Sequence, residues 1–124
     1  MEEISTEAAP PSIGPFSQAV MDESTIYVSG QGPIDPDSGD VIDGDIEAMT
    51  ARTLENIEAI LAAADRSLDD VLRATVYVRD MDDYEAINSV YADYMRSPFP
   101  ARTAVEVSDL PAPIDVEIDV IASR

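Results

Sequence analysis

Short alternating apolar runs, interleaved with two longer stretches of helical periodicity, place this 124-residue chain in the α+β class. Three observations carry that prediction. Residues 16–21, 25–31, 71–79, 102–107 and 115–122 have strand length and β-branched, alternating composition. Residues 45–64 and 82–95 instead repeat their apolar side chains at three and four positions, as a helix buried along one side requires. The resulting order is ββ-α-β-α-ββ. Its economical packing is two layers: one mixed sheet of five to six strands with two helices on one face.

Taken in order, residues 1–12 are polar and end in Ala8-Ala9-Pro10-Pro11-Ser12, the composition of a flexible arm at the start of a single domain spanning 1–124. Asp22-Glu23-Ser24 separates the first two strands as a hairpin turn. Gly30 and Gly32 flank Gln31, where backbone can approach another group closely. Pro33, Pro36 and Gly39 mark a loop. In the first helix Ile46, Met49, Leu54, Ile57, Ile60 and Leu61 share a stripe, with Asp43, Asp45 and Glu47 favourable at its positive end. The strand at 71–79 is expected to point Leu72, Ala74, Val76 and Val78 to the core, and Val71, Arg73, Thr75 and Tyr77 away. Asp82 and Glu85 have capping-box spacing at the start of the second helix. Tyr84, Ile87, Val90, Tyr91, Tyr94 and Met95 form its apolar stripe. In the last two strands Thr103, Val105 and Val107, like Val116, Ile118 and Val120, are expected to face the helices. Arg102, Ala104 and Glu106 would then share the opposite face with Asp115, Glu117 and Asp119.

Composition narrows the chemistry. With no Cys and no His, disulfides, thiolate nucleophiles, imidazole bases and the commonest metal ligands are excluded. The acidic Met1-Glu2-Glu3 start lacks a signal peptide's apolar run, and the apolar stretch at 59–64 is too short to cross a bilayer. A cytoplasmic protein without membrane contacts is expected. The 26 carboxylates outnumber the seven cations, all of them Arg, for a net charge of −19. Such a chain repels itself except where salt is abundant, since the Debye length falls to about 3 Å at 1 M. Arg used to the exclusion of Lys, with Asp outnumbering Glu, suits a high-salt cytoplasm; an ordinary acidic protein is the alternative. The charge disfavours nucleic acid, whose binding relies on neutralising phosphates.

Arg102 stands apart from the other arginines. It enters an apolar strand directly after Pro98-Phe99-Pro100 and has no charged residue within three positions. An unpaired guanidinium costs several kcal/mol to desolvate. It therefore needs an internal carboxylate or an anionic ligand, and its planar fork fits a carboxylate held by two bonds.

Four pieces align, one of them holding Arg102. Ile13-Gly14-Pro15-Phe16-Ser17-Gln18-Ala19 precedes Val28-Ser29-Gly30-Gln31; then come Asn88-Ser89-Val90-Tyr91, and Pro100-Ala101-Arg102-Thr103 with Leu110-Pro111 and Val116-Glu117-Ile118. In this order and spacing, over about residues 9–122, the chain resembles the Rid family (reactive intermediate deaminase, YjgF type). The resemblance implies a chorismate-mutase-like fold assembled as a homotrimer, with helices outside and one cleft at each subunit junction. It also implies hydrolysis of 2-enamine and 2-imine acids to 2-keto acids and ammonia, without a metal or organic cofactor.

The resemblance distributes roles residue by residue. Arg102 would clamp the substrate carboxylate, against the alternative of an internal salt bridge. Glu117 would orient water and shuttle a proton; the predicted alternation sets it on the same sheet face as Arg102, where it is otherwise one of ten glutamates. Ala104 stands where relatives often carry Cys, and its main-chain carbonyl would hold the water. Ser29 and Gly30 would line the cleft, Ser29 as a donor or as a strand-end hydroxyl satisfying backbone. Phe16 departs from the family's usual Tyr: the ring can wall the cleft, but the hydroxyl is gone. Asn88, on the apolar side of the second helix, is expected at the subunit contact rather than in the chemistry.

An enamine/imine deaminase is therefore the leading expectation. A non-catalytic trimer that binds small carboxylates through Arg102 is the second. RNA cleavage, ascribed to some relatives, finds no catalytic His and no basic track here.

Overall fold

The first helix begins where its acidic residues predict. Asp45 accepts a hydrogen bond from Ala48 N at 2.9 Å, satisfying one of the open donors of α1 (Ile46–Ala62). The second begins differently. Asp80, not Asp82, supplies the side-chain cap, accepting from Asp82 N to close a 3₁₀ turn over Met81–Asp83. α2 (Tyr84–Tyr94) follows without a side-chain cap of its own, so the expected Asp82/Glu85 pair does not form. Asp80 leaves its strand in extended conformation, as a capping residue must, whereas Asp83 is already helical.

In this computed structural model, which describes residues 1–124, the strands are β1 (Glu2–Ile4), β2 (Ala19–Met21), β3 (Thr25–Gln31), β4 (Val71–Val78), β5 (Ala101–Glu106) and β6 (Val116–Ser123). They form one mixed sheet in the order β1-β2-β3-β6-β4-β5. β4 and β5 are parallel, joined through α2; β6 lies antiparallel between β3 and β4. Registered rows give the sheet one apolar face: Val28 beside Val120 beside Ala74, and Val76 beside Ile118. These side chains pack with Leu54, Ile57, Ile60 and Leu61 of α1 and Ile87 and Tyr91 of α2 in one core. The α+β two-layer expectation is met.

Besides the capping pair, three expectations are not. Residues 1–12 do not form a free arm. β1 pairs with β2, and Ile4 and Ala9 are buried in the core. The buried Gln18 side chain accepts from Thr6 N and donates to the carbonyls of Thr6, Ala9 and Pro10, so it satisfies a segment that has few partners of its own. In β4, Val71 is buried and Leu72 is 57% exposed. A bulge between Val71 and Arg73 puts an extra residue against β6 and reverses the alternation before it.

The third correction concerns the site. Arg102 lies in register with Ala74, and Ala104 with Val76, both on the helix-side rows. Thr103 and Val105 instead join Thr75 and Tyr77 on the open face and are exposed. β5 is thus inverted relative to its expected orientation, while β6 keeps its own, with Val116, Ile118 and Val120 buried.

Candidate active site

Because β5 is inverted, Arg102 and Glu117 do not share a face. Glu117 is in register with Tyr77 on the open face, whereas Arg102 points toward α2. Each lines a different hollow, and no residue lines both.

The Glu117 hollow is built by a bulge. β3 slips against β6 between Val28 and Gln31, which carries Ser29 and Gly30 across the end of β6. A Cβ on Gly30 would lie 2.6 Å from Glu117 Oε2, so the carboxylate occupies the space a side chain would need. Beside it opens a cavity of about 310 Å³, walled by Ile13, Phe16, Ile34, Pro111 and Ile114. Desolvation in these surroundings, and then the neighbouring Asp119 carboxylate, push the Glu117 pKa up. Tyr77 donates to Asp119 Oδ2 at 3.1 Å, holding that second charge in place. Phe16 is half exposed and stands at the mouth of the hollow. Ser29 Oγ donates its proton to Ser17 O at 2.7 Å, which leaves the hydroxyl only acceptor capacity. It does not line the Glu117 cavity.

The Arg102 hollow is aromatic. The guanidinium carbon stands 4.8 Å from the Tyr91 ring centroid and 5.5 Å from that of Tyr84, within cation–π range. Nη2 donates to the Tyr84 hydroxyl at 2.9 Å. Ion pairs engage Arg52, Arg79, Arg96 and Arg124, but no carboxylate pairs with Arg102. A slot of about 300 Å³ lies against it, bounded by Asn88, Tyr91, Ala92, Phe99 and Pro100. Asn88 thus sits beside the arginine, and its Oδ1 is buried without a partner. A hydrogen bond from Asn88, then the bond from and charge of Arg102, draw the Tyr84 phenol below its ordinary pKa.

β5 is an edge strand. Val107 N donates to Val78 O, which turns the odd-numbered residues toward β4. The N–H and C=O groups of Arg102, Ala104 and Glu106 therefore point off the sheet, where another chain, water or ligand can meet them. The Ala104 carbonyl is one of these outward-facing acceptors, two residues along β5 from Arg102. The two tyrosines beside Arg102 were legible as an apolar stripe at helical spacing. What the sequence did not display was that a cation lies under them.

Chemically, one half offers a carboxylate with a raised proton affinity beside an apolar cavity. The other offers a cation without a counter-ion beside open main-chain acceptors. Neither half holds a cluster of acidic or sulfur ligands suited to a metal ion.

Comparison with known proteins gives these halves a context. Residues 6–124 match the family model described as endoribonuclease L-PSP. A RutC family protein of Pyrococcus horikoshii is 50% identical over 123 residues, covering 99% of this chain and 98% of its own. The 2-iminobutanoate/2-iminopropanoate deaminase of Capra hircus is 46% identical over 119 residues, covering 96% of this chain and 87% of its own. Among solved structures, a Rid-family protein of unknown function from Yersinia pestis superposes with a TM-score of 0.96 at 43% identity, over 99% of this chain and 98% of that one.

Proposed function

The chain belongs to the Rid family (reactive intermediate deaminase, YjgF type), and on that premise we propose that it hydrolyses 2-iminobutanoate, 2-iminopropanoate and their enamine tautomers to 2-keto acids and ammonia. The observation that carries this reading is the half-buried Arg102 guanidinium, held by aromatic rings and left without a carboxylate. A 2-imino acid supplies the missing anion.

In the proposed reaction Arg102 binds the substrate carboxylate through charge-assisted bonds, worth about 1.5–3 kcal/mol each. Water held at the Ala104 carbonyl adds to the imine carbon as Glu117 takes its proton. That proton passes to nitrogen to give a carbinolamine; its hydroxyl proton then moves through Glu117 to the amino nitrogen, the C–N bond breaks, and ammonia leaves as the carbonyl forms. A positioned acid–base group of this kind contributes roughly 10²–10⁴-fold. Phe16 and its apolar neighbours shield the cavity from bulk water. Gly30 admits the Glu117 carboxylate, and Ser29 shapes the bulge that carries Gly30.

Arg102 and Glu117 of one copy face apart, so the reading requires one copy's arginine to meet another copy's glutamate. A homotrimer with three shared clefts meets that requirement, with Asn88 near the junction. The open β5 rim supplies an edge for such a contact.

The test is release of keto acid from freshly generated 2-aminoacrylate. Acceleration over the spontaneous reaction, cut about 10²-fold or more by Arg102→Ala, is expected. A folded assembly with no acceleration would reject the deaminase reading. The absent hydroxyl at Phe16 favours a second reading, a carboxylate-binding module without turnover. In that case Glu117→Ala would change neither binding nor any rate. RNA cleavage is disfavoured by a net charge of −19, which opposes approach of a phosphate backbone.

A further inference from the structure

Arginine is a long side chain, and holding it in one rotamer costs conformational entropy. A carboxylate clamp works best when that cost is met before the ligand arrives. The surroundings of Arg102 do this with two tyrosines about two helical turns apart on α2. Tyr91, nearly buried, lies under the guanidinium plane. Tyr84, 36% exposed, takes Nη2 on its hydroxyl oxygen at 2.9 Å. Tyr84 makes no other bond to a cation, and Arg102 makes no other side-chain hydrogen bond. The slot beside the guanidinium is bounded by Asn88, Tyr91 and Phe99 but not by Tyr84. Tyr84 therefore stands behind the clamp rather than in the ligand's place.

We infer that Tyr84 is a positioning residue: its hydroxyl tethers one end of the Arg102 guanidinium so that the free edge faces the slot, ready for a 2-keto or 2-imino carboxylate. The inference rests on the carboxylate-clamp reading above and adds the group that sets the clamp's direction. Tyr84 takes one of the two Nη2 hydrogens; the other stays parallel to a neighbouring guanidinium N–H, which leaves one edge whose paired donors a carboxylate accepts in bidentate fashion.

Tyr84→Phe removes only the oxygen and keeps the ring over Arg102. Calorimetric titration with 2-oxobutyrate is run on the wild type, Tyr84→Phe and Arg102→Ala, with steady-state hydrolysis and thermal melting alongside. The expected result is a Kd and KM about 5–20-fold higher in Tyr84→Phe, with kcat within about twofold and melting unchanged. That is the pattern of lost uniform binding. Wild-type affinity in Tyr84→Phe, with Arg102→Ala impaired, overturns the inference and leaves the clamp standing. Equal binding by wild type and Arg102→Ala, or binding by neither, removes the clamp and the inference with it. Tyr84→Leu supplies the second control: a ring that served only as a wall would be sensitive to Leu and indifferent to Phe.

Discussion

Gly30 lacks a side chain at the one place where Glu117 needs the room. That close approach ties a backbone choice on β3 to the carboxylate on β6. Gly30→Ala must push the carboxylate aside, and turnover is expected to fall while the fold persists. The electrostatics of Glu117 make a sharper prediction. Its folded pKa is raised, so the folded state holds the proton more tightly than the unfolded chain does. Its ionisation then costs stability: the group's favourable share is present below the ordinary glutamate pKa and is lost as pH rises through the higher folded value. Glu117→Gln is therefore expected to raise the melting temperature at pH 7 and to show no gain at pH 3.5. It should also lower kcat by about 10²-fold or more, as loss of a positioned base does. A variant less stable than wild type at pH 7 would show that the carboxylate is not strained by its surroundings. Phe16 marks the limit of reading at this scale. Its missing hydroxyl is plain in the sequence, whereas the hydroxyl that Tyr84 offers Arg102 shows only in the fold.

Among the elements, strand and helix positions were legible because periods of two and 3.6 are written into the apolar residues. Faces were harder. β6 was placed correctly because its two sides differ sharply, Val116, Ile118 and Val120 against Glu117 and Asp119. β5 sets Thr103 and Val105 against Arg102 and Ala104, and hydropathy alone chose the wrong side. The parallel pairing with β4, in register from Ala74 opposite Arg102, decides the matter, and no local pattern encodes that register. The bulge before Arg73 likewise turned Leu72 outward for a reason that lies in β6. The order of the first segment is not legible in its own composition, because it comes from a residue outside it. Gln18 makes four hydrogen bonds to that segment's backbone, and Gln18→Ala would leave several buried groups without partners. A loss of about 2 kcal/mol in urea unfolding is expected. An unchanged midpoint would mean that β1 and the Gln18 network contribute nothing to stability.

For the molecule as a whole, charge and shape act together. Four partly exposed ion pairs involve four of 26 acidic residues, and the rest repel one another across the surface. We propose that the protein works in a high-salt cytoplasm, where screening is short-ranged. Its melting temperature and its assembled fraction should both rise between 0.1 and 2 M KCl, as the Debye length falls from about 10 Å to below about 3 Å. Indifference to salt over that range would contradict the proposal. Shape makes the more demanding claim, that Arg102 and Glu117 act together only across two copies. Arg102→Ala and Glu117→Ala subunits, each inactive alone, can be separated, mixed in equal amounts and reassembled. If one copy's Arg102 serves its neighbour's Glu117, about a quarter of the clefts in the mixture recover both groups. Deaminase activity near that fraction of wild type is the result this account predicts. A mixture as inactive as its components would contradict it.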